Sequence, residues 1–343
     1  MGKNEPMIVD VSASCGIKTL PVYRNIWHRT LSGLNHIYLK QQHKWRTCLP
    51  GGYPVGAMIE LCNVCNLRCA LCPSGNGQLK RKTGFMKPDL FKRIVDELDD
   101  TYVRHLVPVM WGESLLHPQL VELLQYARRK TWHISMTTNG NKVGNDQYFK
   151  DFVGTGIDEV ICAVDGHDQD AYESYRRGGK LQVVHDFLRK MRESRDAVGA
   201  TRPILVAQIH LNKKNEDHLD VIKKSIEHYV DSFQTKRLRM FFTEMSDIKE
   251  KKGLHDGIKP VDPDKQFPSL GRSSCPTMLY SLNINWEGEV LACCRDPLNI
   301  LRFGSLQEQS LRSILSSTKF KEGRQKLLRG EYWEDVCKTC ALY

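Results

Sequence analysis

Six short apolar runs alternate with amphipathic stretches between residues 55 and 242, and this alternation most constrains the fold. The runs are Val55–Leu61, Val103–Met110, His133–Thr137, Val160–Val164, Ile204–Leu211 and Leu238–Phe242. Helical stretches lie between them, at 88–98, 118–130, 146–153, 180–196 and 215–230. The first opens on Pro88, where a helix has no donor to lose, and lines up Leu90, Phe91, Ile94, Val95 and Leu98. Strands alternating with helices predict a parallel sheet, and near-continuous apolar strands predict burial of both faces. Six units fall short of a complete eight-fold barrel, so the expected class is α/β, a partial (β/α)6 TIM-like barrel.

Flanking segments read differently. Residues 1–20 carry no period, and Pro21–Trp45 spaces Val22, Ile26, Leu34, Ile37 and Tyr38 helically amid Arg24, Arg29, Lys40 and Lys44. A helix capping the next domain is expected there, with a basic helix lying on a membrane or on an anionic partner as the alternative. Residues 246–274 have a linker's composition. Beyond them, Leu282, Ile284 and Trp286 alternate before Glu287-Gly288, a hairpin signal, and Ser305 with Glu308 has capping-box spacing for a helix through Leu311 and Ile314. The expected domains are thus 1–52, 53–245, a linker at 246–274, and 275–343.

Twelve cysteines are unevenly placed: Cys62, Cys65, Cys69 and Cys72 crowd one segment, and Cys275, Cys293, Cys294, Cys337 and Cys340 lie near the end. The first thirty residues lack a secretory pattern and no run is long and apolar enough to span a bilayer, so a reducing cytoplasm is expected. There, clustered cysteines read as metal ligands, here in two centres. The charge of +10 is compatible with an anionic partner. Runs such as Lys80-Arg81-Lys82 lack interleaved aromatics, so nucleic acid is not expected, although a zinc-stabilised nucleic-acid binder is the non-enzyme alternative.

Cys65-x3-Cys69-x2-Cys72 directly follows the first strand, where barrel sites are built. Three thiolates can hold three corners of a [4Fe–4S] cube and leave one iron open; a zinc site closed by Cys62 is the alternative. Further polar segments end later strands: Gly112-Glu113-Ser114-Leu-Leu-His117-Pro118, Thr138-Asn139-Gly140 and Asp165-Gly166, with Gln208 and Asn215 on and after the fifth strand.

With these motifs the sequence resembles the radical S-adenosylmethionine (SAM) enzymes. The resemblance implies that SAM chelates the open iron and yields a 5′-deoxyadenosyl radical, with Gly112, Glu113, Thr138, Asn139, Asp165 and Gln208 around it. Ser114 stands where the family usually has Pro, Leu71 where it has an aromatic residue, and Cys62 where Thr is common.

The C-terminal pattern, Cys275-Pro, a Glu-Gly hairpin, Cys293-Cys294-x-Asp and Cys337-x2-Cys340, resembles the shortened SPASM, or twitch, extension. That implies one auxiliary [4Fe–4S] cluster on Cys275, Cys293, Cys337 and Cys340. By spacing alone a zinc ribbon reads equally well.

Similarity to twitch-type aminocyclitol (scyllo-inosamine) dehydrogenases implies an oxidoreductase of antibiotic-precursor type. It would act on a sugar-like small molecule and draw on a flavodoxin- or ferredoxin-type electron donor. Modification of a ribosomal peptide is the alternative. Acid–base residues are not identified; Glu60, Tyr172, Arg176, Arg177 and His210 are candidates by strand-end location, and Cys62 is weighed as a hydrogen donor.

Overall fold

The computed structural model describes residues 26–48, 52–130, 132–142, 144–237, 275–331 and 337. The expected strand Leu238–Phe242, the tail 1–20, the linker 246–274 and Cys340 lie outside these residues. Six parallel strands run β1 (Gly56–Ile59), β2 (His105–Val107), β3 (His133–Thr138), β4 (Glu159–Ala163), β5 (Ile204–Leu211) and β6 (Ser232–Arg237), each beside its sequence neighbour. The sixth described strand ends at Arg237, directly before the expected run. The first strands are shorter than their apolar runs, because chain beyond Val107 turns off to build the rim.

Among the described residues the sheet is open, with β6 at one end. Alternate strand residues, among them Ala57, Ile59, Leu106, Ile134, Met136, Val160, Cys162, Leu205 and Ala207, enter the main core. They meet the buried faces of α2 (Pro88–Asp99), α3 (Leu120–Arg128), α4 (Asp146–Gly154) and α6 (Leu181–Ala197). Phe149 and Phe187 pack there with ring centroids 5.7 Å apart, and truncating either to Ala costs about 3–5 kcal/mol. By the strand period of two, the other face carries His105, His133, Ser135, Glu159 and Gln208. These are buried but polar, with His105 Nε2 2.7 Å from Ser135 Oγ. Burial of both faces thus holds, but on the inner face polar residues alternate between strands with apolar ones such as Met58, Ile161 and Val206.

The C-terminal segment extends the same sheet. After a helical turn (Thr277–Tyr280), β7 (Ser281–Ile284) pairs parallel with β1, matching Gly56 to Ser281 and Ile59 to Ile284. The expected hairpin then forms with β8 (Glu289–Leu291), turning at Gly288 with φ +82°, and β9 (Arg302–Ser305) completes the edge. Ser305 closes β9 and does not cap a helix. Ser310 caps the next helix (Leu311–Ser316) by accepting from Ser313 N, and Ser317 caps the following one (Thr318–Arg329).

One buried pair ties the two halves together. Glu60, directly after β1, is fully buried and accepts a forked contact from Arg81, at 2.5 and 2.9 Å, and the Trp286 N–H at 3.2 Å. Arg81 Nε also donates to Pro297 O at 2.9 Å, in the loop that follows Cys293. Arg81→Lys keeps the charge but loses the fork and the Pro297 contact, and should destabilise the protein by about 1–2 kcal/mol in urea denaturation.

Candidate functional site

Side chains converge on the rim where the parallel strands end. The loop after β1 carries Cys65, Cys69 and Cys72 around buried Leu67, Ala70 and Leu71, with Tyr175 packed on them. Gly75 is required there, since a Cβ would stand 2.4 Å from Cys69 N. Gly112, with φ +85°, lies so close to this loop that a Cβ would meet Cys62 O at 2.6 Å. That approach seats the next residue, Glu113, inside.

Glu113 is 3% exposed. Its Oε1 accepts from Leu115 N at 3.0 Å and Thr138 Oγ1 at 2.8 Å, and its Oε2 accepts from Asn139 N at 2.7 Å. Burial pushes its carboxyl up despite these donors. Asn139 Nδ2 in turn reaches Asn66 Oδ1 at 2.9 Å and Cys65 Sγ at 3.8 Å. Glu113, Thr138, Asn139 and the first cysteine of the trio are therefore one connected group.

Asp165, two residues past β4, has no exposure. Burial would push its carboxyl up, but Arg176 and His210 prevail and hold it well below the usual carboxylate range. Arg176 Nε donates to Oδ2 at 2.6 Å, and His210 N to Oδ1 at 2.6 Å. Arg176 also places Nη1 3.8 Å from Cys69 Sγ, and its Cζ lies over the Tyr175 ring, 4.9 Å from the centroid. This guanidinium bridges a strand end to a cysteine, a role its candidacy by location alone did not reveal. It comes from the end of α5 (Gln169–Tyr175), ahead of Gly178-Gly179.

Gln208 stands beside Ala163 in the β4–β5 register and donates to Gln234 at 2.9 Å, joining neither group directly. Asn215 braces the loop after β5, donating to Asp165 O at 2.8 Å. Tyr172 is tied to Asn141 at 2.7 Å. Cys162 faces the helices, where its Sγ lies 2.6 Å from the Cβ position of Gly140.

Among the described residues, no group of three or more His, Cys, Asp or Glu side chains could hold a single metal ion. Cys62, the fourth ligand of the zinc alternative, turns away: its Sγ donates to Glu113 O at 3.2 Å, and burial, with Glu113 near, pushes it up to about 12. A trio on one loop, without a closing fourth thiolate, fits an iron–sulfur cube with an open corner. The enclosed Glu113 carboxylate fits an ammonium group such as the amine of SAM. Cys62→Ala should leave iron content and product stereochemistry unchanged, because the thiol packs in place of donating hydrogen; chiral chromatography and iron assay check both.

At the second centre, Cys275 N donates to Leu327 O at 2.7 Å and Cys293 Sγ accepts from Arg295 N at 3.3 Å. Cys275, Cys293 and Cys337 all pack against the main core.

A Radical SAM superfamily model matches residues 59–213, and a SPASM iron–sulfur cluster-binding domain model matches residues 275–341. Mycofactocin maturase MftC of Mycobacterium tuberculosis (strain H37Rv) is 24% identical over 186 residues, 54% of this chain and 45% of that protein. GTP 3′,8-cyclase of Streptomyces coelicolor is 27% identical over 174 residues, 50% of this chain and 49% of that protein. The chain spans about half the length of these curated relatives.

Two solved structures share the fold. SuiB of Streptococcus suis bound to precursor peptide SuiA gives a TM-score of 0.57 at 13% identity, over 92% of this chain and 78% of that one. BtrN in complex with AdoMet and 2-DOIA gives 0.52 at 19% identity, over 84% and 92%. The cofactors are accordingly SAM with its [4Fe–4S] cluster, and auxiliary iron–sulfur in the C-terminal domain. With both domain models matched in order along one α/β sheet, the chain carries a radical SAM domain over residues 59–213 followed by a C-terminal SPASM domain over residues 275–341.

Proposed function

We propose that this radical SAM enzyme modifies a peptide. The observation that carries the radical chemistry is the convergence of the cysteine trio, Glu113 and the Asp165–Arg176 pair on one rim. The peptide is supported by the relatives' printed names, a maturase and a protein bound to a precursor peptide. They weigh against the small sugar-like substrate expected from sequence.

Cys65, Cys69 and Cys72 would hold the SAM-binding cluster, and Cys275, Cys293, Cys337 and Cys340 the auxiliary one. When bound, cluster and SAM supply one-electron cleavage of the sulfonium and hydrogen-atom abstraction. Glu113, aimed by Thr138 and Asn139, would take the SAM ammonium. Arg176 holds Asp165 ionised in the polar wall of the site. Leu67, Leu71 and Tyr175 keep water from the cysteine loop.

Oxidation of a small polyhydroxylated metabolite is the second reading, favoured by the 2-DOIA named with BtrN and by the auxiliary cysteine spacing. Reconstituted enzyme is incubated anaerobically with SAM, reductant and either candidate peptides or aminocyclitols. Peptide modification predicts 5′-deoxyadenosine released in proportion to a peptide mass change. Turnover of aminocyclitol alone, with loss of two hydrogens, would overturn it.

A further inference from the structure

Helix α1 (Ile26–Trp45) is built inside out. Its core side buries Ser32, Asn35 and Gln42 around Leu39, and Asn35 exchanges two hydrogen bonds with the Tyr53 backbone, at 2.9 and 3.1 Å. Its outer side bares Leu31, Leu34, Ile37 and Trp45, at 48, 57, 57 and 62% exposure. At 3.6 residues per turn these four fall within an arc of about 120°. Exposed Lys40 and Lys44 run along one edge of that arc.

The sequence in and next to the helix carries charge of one sign. Between Asp10 and Glu60 there is no acidic residue, whereas Lys18, Arg24, Arg29, Lys40, Lys44 and Arg46 are all basic. The helix dipole accounts for cations in the last turn but not for a bare apolar arc beside them. An apolar stripe edged with lysines and ended by Trp is the pattern of a helix lying in a lipid interface. Antiparallel two-fold pairing of the same face would bring the lysine edges of two copies together. No helix among the described residues is long and apolar enough to cross a membrane, so contact is with the surface.

We propose that this face of α1 docks the protein on an anionic lipid surface. The inference is independent of the substrate. It is tested by flotation of the anaerobic holoprotein with vesicles of phosphatidylcholine, alone or with phosphatidylglycerol. The expected result is flotation with the anionic vesicles, weakened by salt. Lys40→Gln and Lys44→Gln should each lower partitioning about fivefold, and Leu34→Ser with Ile37→Ser should abolish it. All four positions are exposed, so iron content and 5′-deoxyadenosine release should not change. No flotation of the wild type, or equal flotation with neutral vesicles, overturns the proposal. So does a concentration-dependent dimer, seen by light scattering and lost in Leu34→Ser, if vesicles do not float the protein.

Discussion

Glu113→Gln should lower SAM cleavage by about two orders of magnitude while leaving the iron content of the protein unchanged. Both carboxylate oxygens of Glu113 are occupied by donors, from Leu115, Thr138 and Asn139. An amide would point its own N–H groups at one of these donors and remove the negative charge that a cationic ligand needs. Losing one partner of a buried, hydrogen-bonded charge pair costs about 2–5 kcal/mol, enough for a hundredfold loss at the middle of that range. The carboxylate reaches the cysteine loop only through Asn139, at 3.8 Å from Cys65 Sγ, so cluster assembly should survive. Measured together, 5′-deoxyadenosine release and iron per chain separate a binding defect from a lost cluster. Equal cleavage by variant and wild type would remove Glu113 from the site.

Arg176→Met should destabilise the protein by about 3–5 kcal/mol at neutral pH, because it strands the Asp165 carboxylate without its cation. Asp165 would retain only the His210 contacts and the surrounding backbone. In the wild type the folded carboxyl lies below its ordinary value. Its contribution is therefore complete above about pH 4 and is lost as pH falls toward the folded value. In the variant the carboxyl rises, so acid neutralises it readily and the gap between the two proteins should narrow as pH falls. Arg176→Lys should recover part of the loss, since it restores charge without the Nε and Nη1 fork. Urea denaturation across this pH range checks the sign; a gap that widens in acid would refute the pairing.

Much of the scaffold could be read in advance because it depends on local pattern. The helix face of Phe91, Ile94, Val95 and Leu98 is buried as its spacing requires, and the hairpin turns at Gly288. The cysteine trio and Glu113 were legible because both follow strand ends, where an α/β barrel gathers its side chains. What escaped notice depends on contacts distant in sequence. Nothing near Arg176 indicates that it reaches Cys69, and the Glu60–Arg81–Pro297 clasp joins residues more than two hundred positions apart. Ser305 and Ser310 both offer a capping hydroxyl, and the competition is decided by β9, which takes Ser305 into the sheet. The polar residues of the inner face, His105, Ser135 and Gln208 among them, were hidden because a buried polar residue is indistinguishable in sequence from an exposed one.

The most direct test removes the second centre and looks at the first. A variant with Cys275, Cys293, Cys337 and Cys340 all changed to Ala, prepared without air and reduced, is examined by electron paramagnetic resonance with and without SAM. The account predicts about half the wild-type iron and a remaining [4Fe–4S] signal that changes when SAM is added. A protein with no remaining signal, or one whose signal ignores SAM, would contradict it.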